Sequence, residues 1–143
     1  VEKPLQRWPD PPAVEPDELR LSPDVGSDEF TTTLTVTCEE HYQNVLEASR
    51  PPQWDRPLWP VVVSFRIADR NPHRASSDPV VEVLLNNQTI GYTTPKMTER
   101  HRPTIEAALA AGKTPTARAH VEPGKKGGQE ILRVRAIMAK LAE

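Results

Sequence analysis

A single cysteine, Cys38, excludes an intrachain disulfide and any multi-cysteine metal site. It suits a reducing compartment, and a cytoplasmic protein is the expectation. The four histidines, His41, His73, His101 and His120, include no pair at the i, i+4 or HExxH spacing of a helical zinc site. No glycine-rich phosphate loop precedes a helix, because "PGKKGG" lies between two strand patterns. No orienting group accompanies Cys38 and His41, and a lone cysteine closing a strand pattern is ordinarily a small buried hydrophobe. No apolar run approaches the ~20 residues that span a bilayer, and no secretory h-region opens the chain. These absences predict a soluble, non-enzymatic protein with no cofactor, no metal and no membrane partner.

Proline, by contrast, is abundant: sixteen in 143 residues, with a mean hydropathy of −0.59. Residues 1–30 hold six prolines, eight acidic and three basic groups, so the lead carries −5 while the rest carries +3. A segment so charged and so poor in apolar groups cannot repay the entropy of ordering. Residues 1–28 are therefore expected to form an extended acidic arm, with Leu5, Trp8, Leu19 and Leu21 available to dock on the body. Residues 29–143 are expected to be one domain. The chain opens on Val1 rather than Met, as an excised or processed piece would.

Within the body, "FTTTLTVTC" alternates, with Phe30, Thr32, Leu34, Val36 and Cys38 on one face. "EEHYQNVLEAS" reads as a short helix. "RPPQWDRPLWP" is too rich in proline for a ladder, and Trp54 and Trp59 read as lids over the core rather than ligand stackers. "VVVSFRI" is a second strand with Val61, Val63, Phe65 and Ile67 inward. "VVEVLLNNQTIGYT" is a hairpin turning at Asn86-Asn87, residue types that tolerate positive φ. Thr94 caps a helix with Pro95 at its first position. Pro103 is expected to break that helix, leaving a second one with Ile105, Ala108 and Leu109 buried and Gly112 at its end. "TPTARAHVE" and "QEILRVRAIM" close the chain as two more strands. The sum is an α+β fold, a small six-stranded OB-like rolled barrel with two short helices.

Two groups of cations stand out. On the closing strands Arg118, Arg133 and Arg135 alternate with apolar residues and fall on the outer side, with Lys125 and Lys126 at the tip; an ordinary solvated face would look the same. The second group surrounds "RNPHRASSDPVVEVLL". Arg66, Arg70 and Arg74 precede its strand, and Lys96, Arg100 and Arg102 follow the hairpin, at one end of the sheet. With Tyr42, His41 and His73 nearby, cations and flat rings make the parts of a single-strand groove.

"HYQNVLEA", "RNPH", "DPVVEVLLNNQTIGY" and "AALAAGKTPTARAHV" together resemble the HIRAN domain over roughly residues 33–137. The resemblance implies an OB-like barrel and DNA binding; eukaryotic members recognise the 3′-hydroxyl end of single-stranded DNA beside remodelling helicases. Carried over by position, it implies roles for His41 and Tyr42 as the ring pair, for Asn71, His73 and Asp78 as loop contacts, and for Lys96 as a basic contact. His41 stands where the eukaryotic pattern has an aromatic, and Asp78 is displaced from the usual spacing. The expected function is thus a DNA-binding module for single strands or strand ends in repair or remodelling. The candidate residues are His41, Tyr42, Arg70, Asn71, His73, Asp78, Lys96, Arg118, Arg133 and Arg135. The alternative is a protein-interaction module on the same barrel, using a sheet edge or the proline-rich arm.

Overall fold

The computed structural model describes residues 18–21, 31–75 and 78–139. Leu5, Trp8, Phe30, Ser76 and Ser77 lie outside them. In chain order the elements are β1 (Glu18–Arg20), β2 (Thr31–Thr37), a 3₁₀ turn (Glu39–His41), α1 (Gln43–Ala48), β3 (Trp59–Ala68), β4 (Val80–Leu85), β5 (Gln88–Thr93), α2 (Pro95–Ala110), β6 (Thr114–Lys126) and β7 (Gln129–Ala139). Strands neighbour one another in the order β6-β3-β4-β5-β2-β7, and β7 returns to β6. The six are antiparallel and closed, which removes the barrel's own edges. β1 is a seventh strand, laid parallel on the start of β6 with Glu18 opposite Thr114. Part of the expected arm is thus a strand: the Leu21 amide donates to the Thr116 carbonyl at 2.6 Å, and Leu21 packs on the core.

Alternation explains the interior. Leu34, Val36, Val63, Phe65, Val81, Val83, Ala117, Ala119, Val121 and Val134 all point inside and are essentially inaccessible. Each large one contributes about 1.5–3 kcal/mol on burial. Trp59 is fully buried too, its indole donating to Ser49 Oγ at 2.8 Å beneath the Arg50 guanidinium. Trp59 and Trp54 both pack against the core. Proline does not keep residues 59 and 60 from the ladder, however: β3 begins two residues earlier than its pattern suggests, and Pro60 sits opposite His120. The closing hairpin is also longer than expected. Pro123 to Lys126 remain paired, and only Gly127-Gly128 form the turn, both with positive φ.

Asn86 and Asn87 turn the β4–β5 hairpin with φ of 51° and 63°, and Thr94 Oγ1 accepts from the Met97 amide as an N-cap. α2, however, runs unbroken through Pro103. Thr98, His101, Ile105 and Ala108 are buried at helical spacing along one face, while Pro103 lies on the exposed side. The anchored stripe outweighs the single lost hydrogen bond. Leu109, expected inside, is 39% exposed. Gly112, at φ 74°, ends the helix: its amide donates to Leu109 and that of Lys113 to Ala108, the paired bonds of a left-handed cap.

The β4–β5 ladder slips between Val83 and Leu84. Glu82 faces Tyr92 and Val83 faces Gly91, yet Leu84 faces Thr89, so Ile90 is the extra residue of a bulge. A bulge reverses which way the following side chain points. Ile90 enters the core while Tyr92 turns out to pack on Cys38 and Val80. Gly91 is required at the crossing, because a Cβ there would lie 2.4 Å from Val36 Cγ1 and 2.6 Å from the Thr37 carbonyl. Gly91→Ala is expected to destabilise the fold by about 1–3 kcal/mol, the usual cost of overpacking, and denaturant unfolding checks it. An unchanged midpoint would show that the bulge relaxes freely.

His101 is 1% exposed and neither ring nitrogen is hydrogen-bonded. Burial, and then Arg100, hold its pKa below the ordinary value near 6.5. The folded state therefore keeps the neutral ring, and below about pH 6.5 the unfolded chain binds a proton that the folded chain refuses. The corresponding stability is present above that pH and is lost as pH falls. Thermal melts from pH 7 to 5 are expected to fall less steeply for His101→Leu than for the parent. Parallel slopes would rule this out.

Candidate functional site

Two segments cover the outside of the sheet where Tyr92 emerges. The first is residues 38–43. Cys38 adopts φ 68° and turns the chain out of β2 into the 3₁₀ turn. Glu39 then points inward, 2% exposed, and accepts from the Val134 amide at 2.8 Å. Gln43 is bound twice to Leu132: its Nε2 donates to the carbonyl at 2.9 Å, and its Oε1 accepts from the amide at 2.8 Å. These bonds pin the segment to β7 and hold His41 and Tyr42 above the sheet.

The second segment joins β3 to β4. Asn71 is its buried post, 6% exposed. Its Oδ1 accepts from the His73 amide at 2.9 Å, and its Nδ2 donates to Cys38 Sγ at 3.5 Å. That local bond is a turn in which a side chain replaces a backbone carbonyl, and it lifts His73 over the first segment. The His41 and His73 rings stack at 3.9 Å and 4°. Tyr42 and Tyr92 stand against His73 with centroids at 5.6 and 6.0 Å.

The protonation states are readable. Burial first, then the Tyr92 hydroxyl, raise the Tyr42 phenol far above its ordinary value. Burial, then His41, lower His73. The 2.7 Å contact between Tyr42 Oη and His73 Nε2 is therefore a hydrogen bond between a neutral phenol and a neutral imidazole, its direction set by the His73 tautomer. Burial alone would raise Glu82, but hydrogen bonds from Arg66 and Thr89 hold it below the usual carboxylate range. Glu39 goes the other way: its burial outweighs the Val134 amide and Arg133, and the pKa is raised. Among the described residues no three His, Cys, Asp or Glu side chains gather as a metal site needs.

Of the sequence-predicted residues, His41, Tyr42, Asn71 and His73 meet in this cluster. Arg70 is exposed in the same loop. Asp78 lines a groove of about 410 Å³ with Pro95, Thr98 and Arg102, whose lining includes none of the four rings. Lys96 is exposed on the first turn of α2, beside that groove's Pro95. Arg118, Arg133 and Arg135 lie on β6 and β7. There Arg135 pairs with Glu122 at 3.1 Å and Arg133 approaches Glu39 at 3.6 Å, and at the tip Lys126 pairs with Glu40 at 2.5 Å. Sequence reasoning missed Tyr92, whose direction depends on the bulge, and the acidic partners Glu39, Glu40 and Glu122. The "TIGYT" glycine was the available signal for the bulge.

No family model, no curated protein and no solved structure matches this chain. The likeness to the HIRAN domain rests on its residues alone.

Glu39→Ala is expected to cost about 1–3 kcal/mol, because it strands the buried Val134 amide. Glu39→Gln keeps an acceptor and is expected to cost much less at neutral pH. Chemical denaturation of both variants compares them, and equal losses would deny the carboxylate its role as an acceptor.

Proposed function

We propose that the chain is a non-enzymatic module that binds a single strand of DNA, taking a terminal base against the ring cluster. The observation that carries this reading is how the cations are distributed around flat rings. Among the described residues, Arg70 and Arg74, in the loop that carries His73, have no ion-pair partner, while Arg66, Arg102, Arg133, Arg135 and Lys126 each meet a carboxylate. Unpaired cations beside exposed stacked rings supply the two needs of a strand, neutralised phosphates and a surface for stacking. Arg133, Arg135 and Lys126 are largely compensated, so the closing hairpin is the lesser footprint.

A second reading has its own observation. β1 already adds an extended segment to the edge of β6, which is the geometry of strand addition by a protein partner. Under that reading the rings would matter only for stability.

Fluorescence anisotropy with a short single-stranded oligonucleotide separates the two. Tyr42→Ala is expected to weaken binding by roughly 5- to 150-fold, the equivalent of the ~1–3 kcal/mol carried by a stacked base. Arg70→Glu is expected to lower the log–log salt slope by about 0.7 per lost phosphate contact, and Arg135→Glu to change it less. The reverse ranking would move the footprint to the closing hairpin, and no binding at all would favour the protein partner. End recognition is checked with the same oligonucleotide bearing a 3′-hydroxyl or a 3′-phosphate. Equal affinities would remove the end-specific part of the proposal.

A further inference from the structure

Glu40 stands between Lys126 and His41. Its Oε2 is 2.5 Å from Lys126 Nζ, and its Oε1 is 3.6 Å from Nε2 of His41, the exposed ring of the stack with His73. His73 senses both neighbours: Glu40 favours its charged form, and Lys126 and His41 oppose it. The tip of the β6–β7 hairpin therefore reaches the ring cluster. It brings the Lys126 side chain, 48% exposed, next to the Gly127-Gly128 turn.

Glu40 Oε2 is shut off from solvent, and the Lys126 ammonium is the charge that meets it, although the glutamate side chain as a whole is 25% exposed. A phosphate would bring more charge and three acceptor oxygens to the same ammonium and to the imidazole beside it.

We infer that Glu40 is a built-in competitor for phosphate, occupying an anion seat made by Lys126 and His41 that a nucleic-acid phosphate enters by displacing it. The inference rests on reading this face as the strand-binding site, and adds Glu40 and Lys126 to it with opposite roles. Lys126 contributes attraction only once freed. Glu40 sets a threshold that a weaker anion, such as a protein carboxylate, does not pass.

The test uses the full chain and two probes. With a single-stranded oligonucleotide, Glu40→Gln is expected to tighten binding roughly two- to fivefold, the scale of one partly exposed ion pair, and Lys126→Ala to weaken it. In the Lys126→Ala background Glu40→Gln is expected to lose its effect, since the two act through one contact. With inorganic phosphate alone, the His41 and His73 ring signals in NMR spectra are expected to shift at lower concentration in Glu40→Gln than in the parent. Equal oligonucleotide affinity for parent and Glu40→Gln would overturn the inference, as would phosphate titrations that coincide or leave the rings unmoved. If phosphate shifts the rings as expected but no oligonucleotide binds either protein, the seat stands and the strand-binding reading falls.

Discussion

β2 leaves its ladder with β7 at Thr35, and the outward-facing cluster depends on how that vacated edge is satisfied. β7 continues along β6 to the hairpin tip, so the Val134 amide and both polar groups of Leu132 still need partners on the other side. Buried backbone groups without partners are costly, so something must complete the ladder. Two side chains do so: the Glu39 carboxylate takes Val134, and the Gln43 amide takes Leu132 from both directions. Residues 39–43 are thereby bound in register to a strand they do not belong to. The positions of His41 and Tyr42 follow from that register.

The same arrangement explains the unusual electrostatics. The Val134 amide that Glu39 accepts from is buried, so the carboxylate is buried with it, and that burial raises Glu39 despite the hydrogen bond. The Arg133 guanidinium that compensates it is drawn from the outer face and lies 3.5 Å from the Val36 carbonyl. Arg135 is similarly directed to Glu122. A sequence scan for cations on the outer side of the strands finds these residues correctly. It cannot find that their charge is consumed, because their partners come from a 3₁₀ turn and a neighbouring strand. Pairing reaches the other group as well, where Arg66 meets Glu82 and Arg102 meets Glu106.

What was legible in the residues was local. Alternation in "TLTVTC" places Leu34 and Val36 inside, Asn86-Asn87 gives the turn, and Thr94-Pro95 starts α2. Each depends on neighbours a few positions away. Cys38, expected on the same face as Leu34 and Val36, leaves the strand at φ 68° and packs with Tyr92 and Val80 instead. Pro103 was misread because its cost of about 3 kcal/mol is set against burial of Thr98, His101, Ile105 and Ala108, which only the barrel supplies. The outward turn of Tyr92 was illegible because strict alternation from Ile90 puts it inside, and the bulge exists only in pairing with β4. His41, Tyr42 and His73 group in the sequence as flat rings near the basic loop, and Asn71 joins them only through the family resemblance; periodicity gives neither. No local rule brings residues so distant in sequence onto one face.

Asn71 and Cys38 give the cluster its final constraint. Cys38 holds a left-handed φ, a conformation that strains a side chain with a Cβ, and its thiol accepts from Asn71 across the two covering segments. Asn71 in turn fixes the His73 amide, so a polar relay runs from the end of β2 to the ring that stacks on His41. The relay is built from short side chains with few rotamers. The placement of this face therefore rests on polar contacts beneath it as well as on the contacts among the rings themselves.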